Sequence, residues 1–235
     1  MEMHMNTGSA RLLRDVLTVF ALSLAAIFAT GCGDDDANDP GATPTTQPAS
    51  ATPPGGSMGT GNRELQPGTY TSEQFAVPVT LTVGEGWEVV VDRPDIYVVE
   101  HPAAEDGPFG FIGFLLPEQA YNPTETNLVL GPAPEDFVAW FSSHRLIDVV
   151  STEPVTLGGL TGTRLDLAID QGERFDILET SDGPIEVRFR DRFAVAVLDA
   201  NERQLLVMYG SDLPINFEAF DSVAQAVLAT VTFNE

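Results

Sequence analysis

Apolar and polar positions in the second two-thirds of the chain follow mostly a period of two, in short runs bounded by turn residues. Val79-Thr80-Leu81-Thr82-Val83 alternates strictly and predicts a half-buried strand. Gly84-Glu85-Gly86 turns the chain into a second strand from Trp87 through Val91. Asp92-Arg93-Pro94-Asp95 turns it again into Ile96 to Glu100, the spacing of an antiparallel meander. Phe109 to Leu116 (FGFIGFLL) is a more continuous apolar run, which predicts a strand central in a sheet. Its two glycines mark bulges or a close backbone approach. Pro117 to Pro132 carries no period and reads as irregular. Val155 to Leu160 leads through Gly158-Gly159 and Gly162 into the alternating run Thr163 to Ile169. Ile185 to Asp199 predicts one long strand or two joined strands, Asn201-Glu202 a hairpin turn, and Leu205 to Tyr209 the returning strand.

Two stretches change to the helical period. Pro134-Glu135-Asp136 places Pro and acids where a helix begins, near the positive end of its dipole. Phe137, Trp140 and Phe141 follow at i, i+3 and i+4, a face that packs on a sheet, with an aromatic ligand box as the alternative. Phe217 to Leu228 sets Phe217, Phe220, Ala224, Val227 and Leu228 on one face, and Thr230 to Phe233 closes the chain as a short strand.

The first third is patterned differently. Arg11 and Arg14, partly offset by Asp15, precede an uncharged apolar run from Val16 to Phe28. That length falls in the roughly 7–15 residues of a signal-peptide core and below the ~20 needed to cross a bilayer. Ala29-Thr30-Gly31-Cys32 follows, and resembles the lipobox of bacterial lipoproteins, with Ala29 where that family usually has Leu. The resemblance implies that Cys32 is diacylated and becomes the mature N-terminus. Two acyl chains exceed what stable membrane attachment needs. The alternative is an ordinary signal peptide cleaved nearby, leaving Cys32 as a thiol. Gly33 to Gln66 is rich in Asp, Pro, Thr, Gly and Ser with almost nothing apolar, and reads as a disordered linker. Gly55-Gly56-Ser57-Met58-Gly59 matches the G-x-S-x-G pattern, but lies between Pro-Pro and Gly-Thr-Gly rather than between a strand and a helix. The expected organisation is therefore a signal peptide over 1–31, a lipidated Cys32 with an acidic linker over 32–66, and one domain over 67–235.

Composition narrows the function. There is one Cys, so the exported domain holds no internal disulfide. Acids number 35 against 11 bases, all of them Arg, for a net charge of −24. Such a surface repels nucleic acid and anionic headgroups, so nucleic acid is excluded as a partner. It draws cations and favours solubility, with salty surroundings as a further reading of the acidity.

Candidate chemistry is sparse. The mature chain has two histidines, His101 and His144, without the spacing of a zinc site, and no cofactor is expected. His144, at the end of a predicted helix, reads as a partly charged cap on the negative end of the dipole. Glu100, Glu105 and Asp106 around His101 form a candidate cation site of calcium character, against a plain solvated acidic loop. Arg188, Arg190 and Arg192 share one face if their strand is unbroken, and then form a docking stripe for an anionic partner. Asp191 breaks the pattern and predicts a bulge or strand break there. Pairing of these arginines with the domain's own acids, such as Asp166 or Asp170, is the competing reading.

The later motifs carry a second resemblance. Gly86-Trp87 after an early strand, the Gly158-Gly159-Leu160 and Gly162 entry to a mid-chain strand, and the helix running into a final Thr-Phe strand are similar to small bacterial lipoproteins of the PsbP/Mog type. That resemblance implies an α+β fold, an antiparallel sheet flanked by helices in an α/β/α sandwich. It also implies adaptor or assembly roles without catalytic residues. The function expected is a lipid-anchored, extracytoplasmic, non-enzymatic binding or adaptor module, held in the cell membrane through Cys32 and engaging an extracytoplasmic protein. The alternatives are a small surface hydrolase using His101 or His144, and a calcium-responsive binding module.

Overall fold

The computed structural model describes residues 62–101, 110–123, 128–170, 174–188, 191–200, 203–211 and 217–234. In chain order the first strands are β1 (Arg63–Leu65), β2 (Gly68–Thr71), β3 (Val79–Val83), β4 (Trp87–Arg93), β5 (Ile96–His101), β6 (Gly110–Leu115), β7 (Gln119–Pro123) and β8 (Leu128–Pro132). Helix α1 (Phe137–Ser143) follows, then β9 (Asp148–Leu157), β10 (Leu160–Ala168), β11 (Arg174–Thr180), β12 (Gly183–Arg188), β13 (Arg192–Ala200) and β14 (Arg203–Ser211). Helix α2 (Phe217–Leu228) and β15 (Thr232–Phe233) complete the chain.

The strands form three antiparallel sheets. Eight run in the order β1-β4-β5-β6-β14-β13-β10-β9, four as β12-β11-β7-β8, and three as β15-β3-β2. The large sheet is apolar on both faces, and its alternation says why. Along β13, Phe193, Val195 and Val197 enter one core, while Ala194, Ala196 and Leu198 enter the other. The first core is closed by α1 and the four-stranded sheet, through Phe137, Trp140, Phe141, Ile177 and Leu178. The second is closed by α2 and the three-stranded sheet, through Leu81, Val83, Phe220 and Ala224. A strand covered on both sides reads as a continuous apolar run, as β6, β13 and β14 do. α2 lies so close that a Cβ on Gly110 would meet the Phe220 ring at 2.5 Å.

The expected α+β sandwich with helices on both faces is not what forms. The protein is β-rich, and its two helices have 7 and 12 residues. Much of the cover expected from helices comes from extra strands. β7 and β8 occupy the stretch read as irregular, where Pro123 and Pro132 interrupt the alternation, and β11 adds a strand that the pattern did not announce. β1 lies within the stretch read as linker. Its single apolar residue, Leu65, is buried opposite Trp87.

The sheets are fastened by acids at turns. Asp92 accepts the backbone N–H groups of Glu73, Gln74 and Phe75 at 2.7, 3.1 and 3.2 Å. Asp95 accepts the N–H of Ser181 at 2.7 Å, and Arg93 reaches Asp182 at 2.8 Å, so the β4–β5 turn holds the β11–β12 turn.

Candidate functional site

A cleft of about 570 Å³ opens between the end of β6, the approach to α1, and the ends of β13 and β14 at Asp199, Arg203 and Gln204. Each wall has a local cause. Leu116 donates its N–H to Asp95 O at 2.9 Å, and Ala133 donates to Glu118 O at 2.9 Å, which sets the β6–β7 connection against the segment before α1. Asp136, in extended backbone, caps α1 by accepting the Ala139 N–H at 2.9 Å. The Phe137 N–H is taken by Gln204 Oε1 at 2.9 Å, so the large sheet holds the start of the helix.

The floor is apolar, with Phe137 and Leu116 buried and Pro117 and Pro134 as stiff flanks. The rim carries Glu118, Glu135, Asp199 and Arg203, all exposed. Among the described residues no ion pair joins any of these four. Among the described residues the rim therefore offers three carboxylates and one guanidinium to whatever enters.

Of the residues singled out by sequence, Phe137 lines the cleft, and the charged and histidine candidates that are described lie elsewhere. Cys32, Glu105, Asp106, Arg190 and the Gly55–Gly59 pattern lie outside the described residues. Glu100 sits on β5 opposite Glu88 and Phe111. Among the described residues no group of three or more His, Cys, Asp or Glu is arranged to hold a metal ion. Arg188 ends β12 in the four-stranded sheet and Arg192 begins β13 in the eight-stranded one, so the two do not share a strand face. The break falls at Asp191, whose carboxylate accepts the Arg188 N–H at 2.6 Å, with a return bond from Asp191 N–H to Arg188 O at 3.0 Å. Arg188 also reaches Glu186 at 3.4 Å, a pairing with the domain's own acids.

Neither histidine lines the cleft. His101 ends β5 with its ring edge-on to Trp87, centroids 5.4 Å apart. His144 is the C-cap of α1 through its backbone, donating to Phe141 O. Its ring is 3% exposed, stacked on Phe175 at 5.8 Å and against Trp140 at 4.9 Å. Nε2 meets no well-formed hydrogen bond. Burial pushes this histidine down to about 4; the Tyr121 backbone opposes the shift and Arg145 adds to it. The partly charged cap expected from position is thus a neutral core ring.

The cleft itself was not announced by any motif. Its only trace in the sequence is the Pro-flanked stretch from Pro117 to Pro134, which joins to Asp199 and Arg203 only through the fold. No family model matches the chain, and no curated protein matches it. A solved structure of a protein of unknown function, PA94 from Pseudomonas aeruginosa, is similar at 11% identity, covering 68% of this chain and 93% of that one, with a TM-score of 0.33. At that score the likeness carries no argument. Among the described residues no helix is long and apolar enough to cross a membrane.

Proposed function

We propose that this is a lipid-anchored protein of the extracytoplasmic membrane face, a non-enzymatic binding module whose ligand enters the cleft between β6, α1 and the β13–β14 hairpin. The cleft carries the binding reading. Its volume lies within the roughly 300–1,000 Å³ of small-ligand sites, and four charged side chains stand at its rim beside half-buried Pro117, Ala133 and Pro134. The anchor rests on the sequence, through the lipobox at Ala29 to Cys32 and the long acidic linker after it. A flexible tether of that length spans roughly 30–35 Å, which lifts the site clear of the headgroups.

The anchor is tested by metabolic labelling with palmitate in a bacterial host that processes lipoproteins. The wild-type chain is expected to take up label and fractionate with membranes. Cys32→Ser is expected to lose both. Label and membrane association that survive the substitution would remove the anchor from the account.

A further inference from the structure

The ligand class follows from the charges at the cleft, on the reading that the cleft is the binding site. An anion meets Glu118, Glu135 and Asp199 in a molecule of net charge −24 and is repelled. A neutral apolar ligand would cover four rim charges without pairing any, which costs free energy. A bare metal ion lacks its cage, because no described cluster of three or more ligating side chains is arranged for one. What remains is an organic cation with an apolar body.

Arg203 adds the second half. Among the described residues it is the one basic group lining the cleft, and no ion pair occupies it. The start of α1 does not compete with it for an anion. The Phe137 N–H is taken by Gln204, the Ala139 N–H by the Asp136 carboxylate, and the Trp140 N–H by Asp136 O. Guanidinium and carboxylate match as paired donors and acceptors. Half-buried Pro117, Ala133 and Pro134 suit an aliphatic side chain, and the prolines keep the walls from having to order on binding.

We propose that the cleft binds a short peptide of net positive charge with a free carboxylate: the carboxylate on Arg203, an apolar residue on Pro117, Ala133 and Pro134, and the cationic group on the carboxylates of Glu118, Glu135 and Asp199. The anchored module would then collect basic peptide ends outside the membrane.

Isothermal calorimetry on the chain from Cys32 to Glu235, with Cys32→Ser to keep it soluble, tests this with three peptides: Lys-Leu-Ala, its C-terminal amide, and Glu-Leu-Ala. Lys-Leu-Ala is expected to bind, the amide about tenfold more weakly, and Glu-Leu-Ala not at all. In Arg203→Ala the acid and amide are expected to bind alike, because the group that tells them apart is gone. Equal binding of acid and amide to the wild-type rim overturns the role of Arg203. Binding of Glu-Leu-Ala as tight as that of Lys-Leu-Ala, or no binding of any of the three at millimolar concentration, overturns the ligand class. The cleft itself is tested separately with Ala133→Trp and Glu135→Trp, each checked for an unchanged melting temperature. Lys-Leu-Ala binding that survives both places the site elsewhere and removes the cleft reading together with the ligand.

Discussion

At the scale of single residues, two polar side chains are set by the groups packed around them. His144 is neutral because the core around Trp140 and Phe175 cannot solvate its charged form. Its folded value of about 4 lies below the ordinary 6.5, so the neutral ring stabilises the fold fully above pH 6.5, and that contribution is lost as pH falls from 6.5 to 4. The gap corresponds to about 3 kcal/mol. Urea unfolding at pH 7 and pH 4 is expected to show that the wild type loses this much more stability than His144→Phe. Equal losses would mean that the ring is not held neutral. Arg164 is the other. It sits over the Tyr209 ring, 5.7 Å from its centroid, and reaches Glu153 at 3.3 Å, Asp166 at 2.9 Å and Asp221 at 3.4 Å. Three acids from β9, β10 and α2 thus share one half-buried cation. Arg164→Met leaves them facing each other and is expected to destabilise by about 1–3 kcal/mol in denaturant titration. A change within about 0.5 kcal/mol would return these pairs to the worth of surface contacts.

At the scale of elements, the β9–β10 hairpin shows how a turn is written into sequence. Gly158 and Gly159 have φ of +57° and +90°, the left-handed backbone a two-residue hairpin turn demands. Around Gly159 there is open space, so Gly159→Ala meets only the backbone cost, about 1–2 kcal/mol. A Cβ on Gly158 would also meet the Phe233 ring at 2.6 Å, so Gly158→Ala is expected to cost more. A reversed order in thermal melts would contradict the packing of β15 on this turn. β9 is also the long free edge of the large sheet. Pro154 faces Thr163 where the ladder is regular, from Ser151 to Leu157, so its missing N–H falls on the outer side and blunts that edge.

Elements with one clear rule were legible: β3 and α2 match the run that alternation or the helical period marks, and Asp136 caps α1 one residue before its aromatic face. β7, β8 and β11 were not legible. β7 and β8 form a local hairpin, but the pairing that joins it to the sheet sets Ala120 opposite the distant Leu178, and Pro123 and Pro132 mask a pattern that only cross-strand pairing completes. That hidden sheet is why the fold is β-rich where helices were expected. It is also why the cleft escaped notice, since Glu118, Glu135, Asp199 and Arg203 meet only once β7, β8 and the β13–β14 hairpin are in place.

At the scale of the whole molecule, charge dominates. With 35 acids and 11 arginines, self-repulsion opposes the compact state. Raising salt from about 10 mM to about 1 M shortens the screening length from roughly 30 Å to roughly 3 Å, and the melting temperature is expected to rise with it. A flat profile would mean that the surface acids are paired or spaced well enough not to oppose folding. The same field concentrates cations near the surface and suits a cleft that collects basic peptides. The most direct test of that central claim is a backbone amide chemical-shift titration of the chain from Cys32 to Glu235, carrying Cys32→Ser, with Lys-Leu-Ala. The account predicts perturbations concentrated at Glu118, Glu135, Phe137, Asp199, Arg203 and Gln204. Perturbations centred on another face of the domain, or none at saturating peptide, would contradict it.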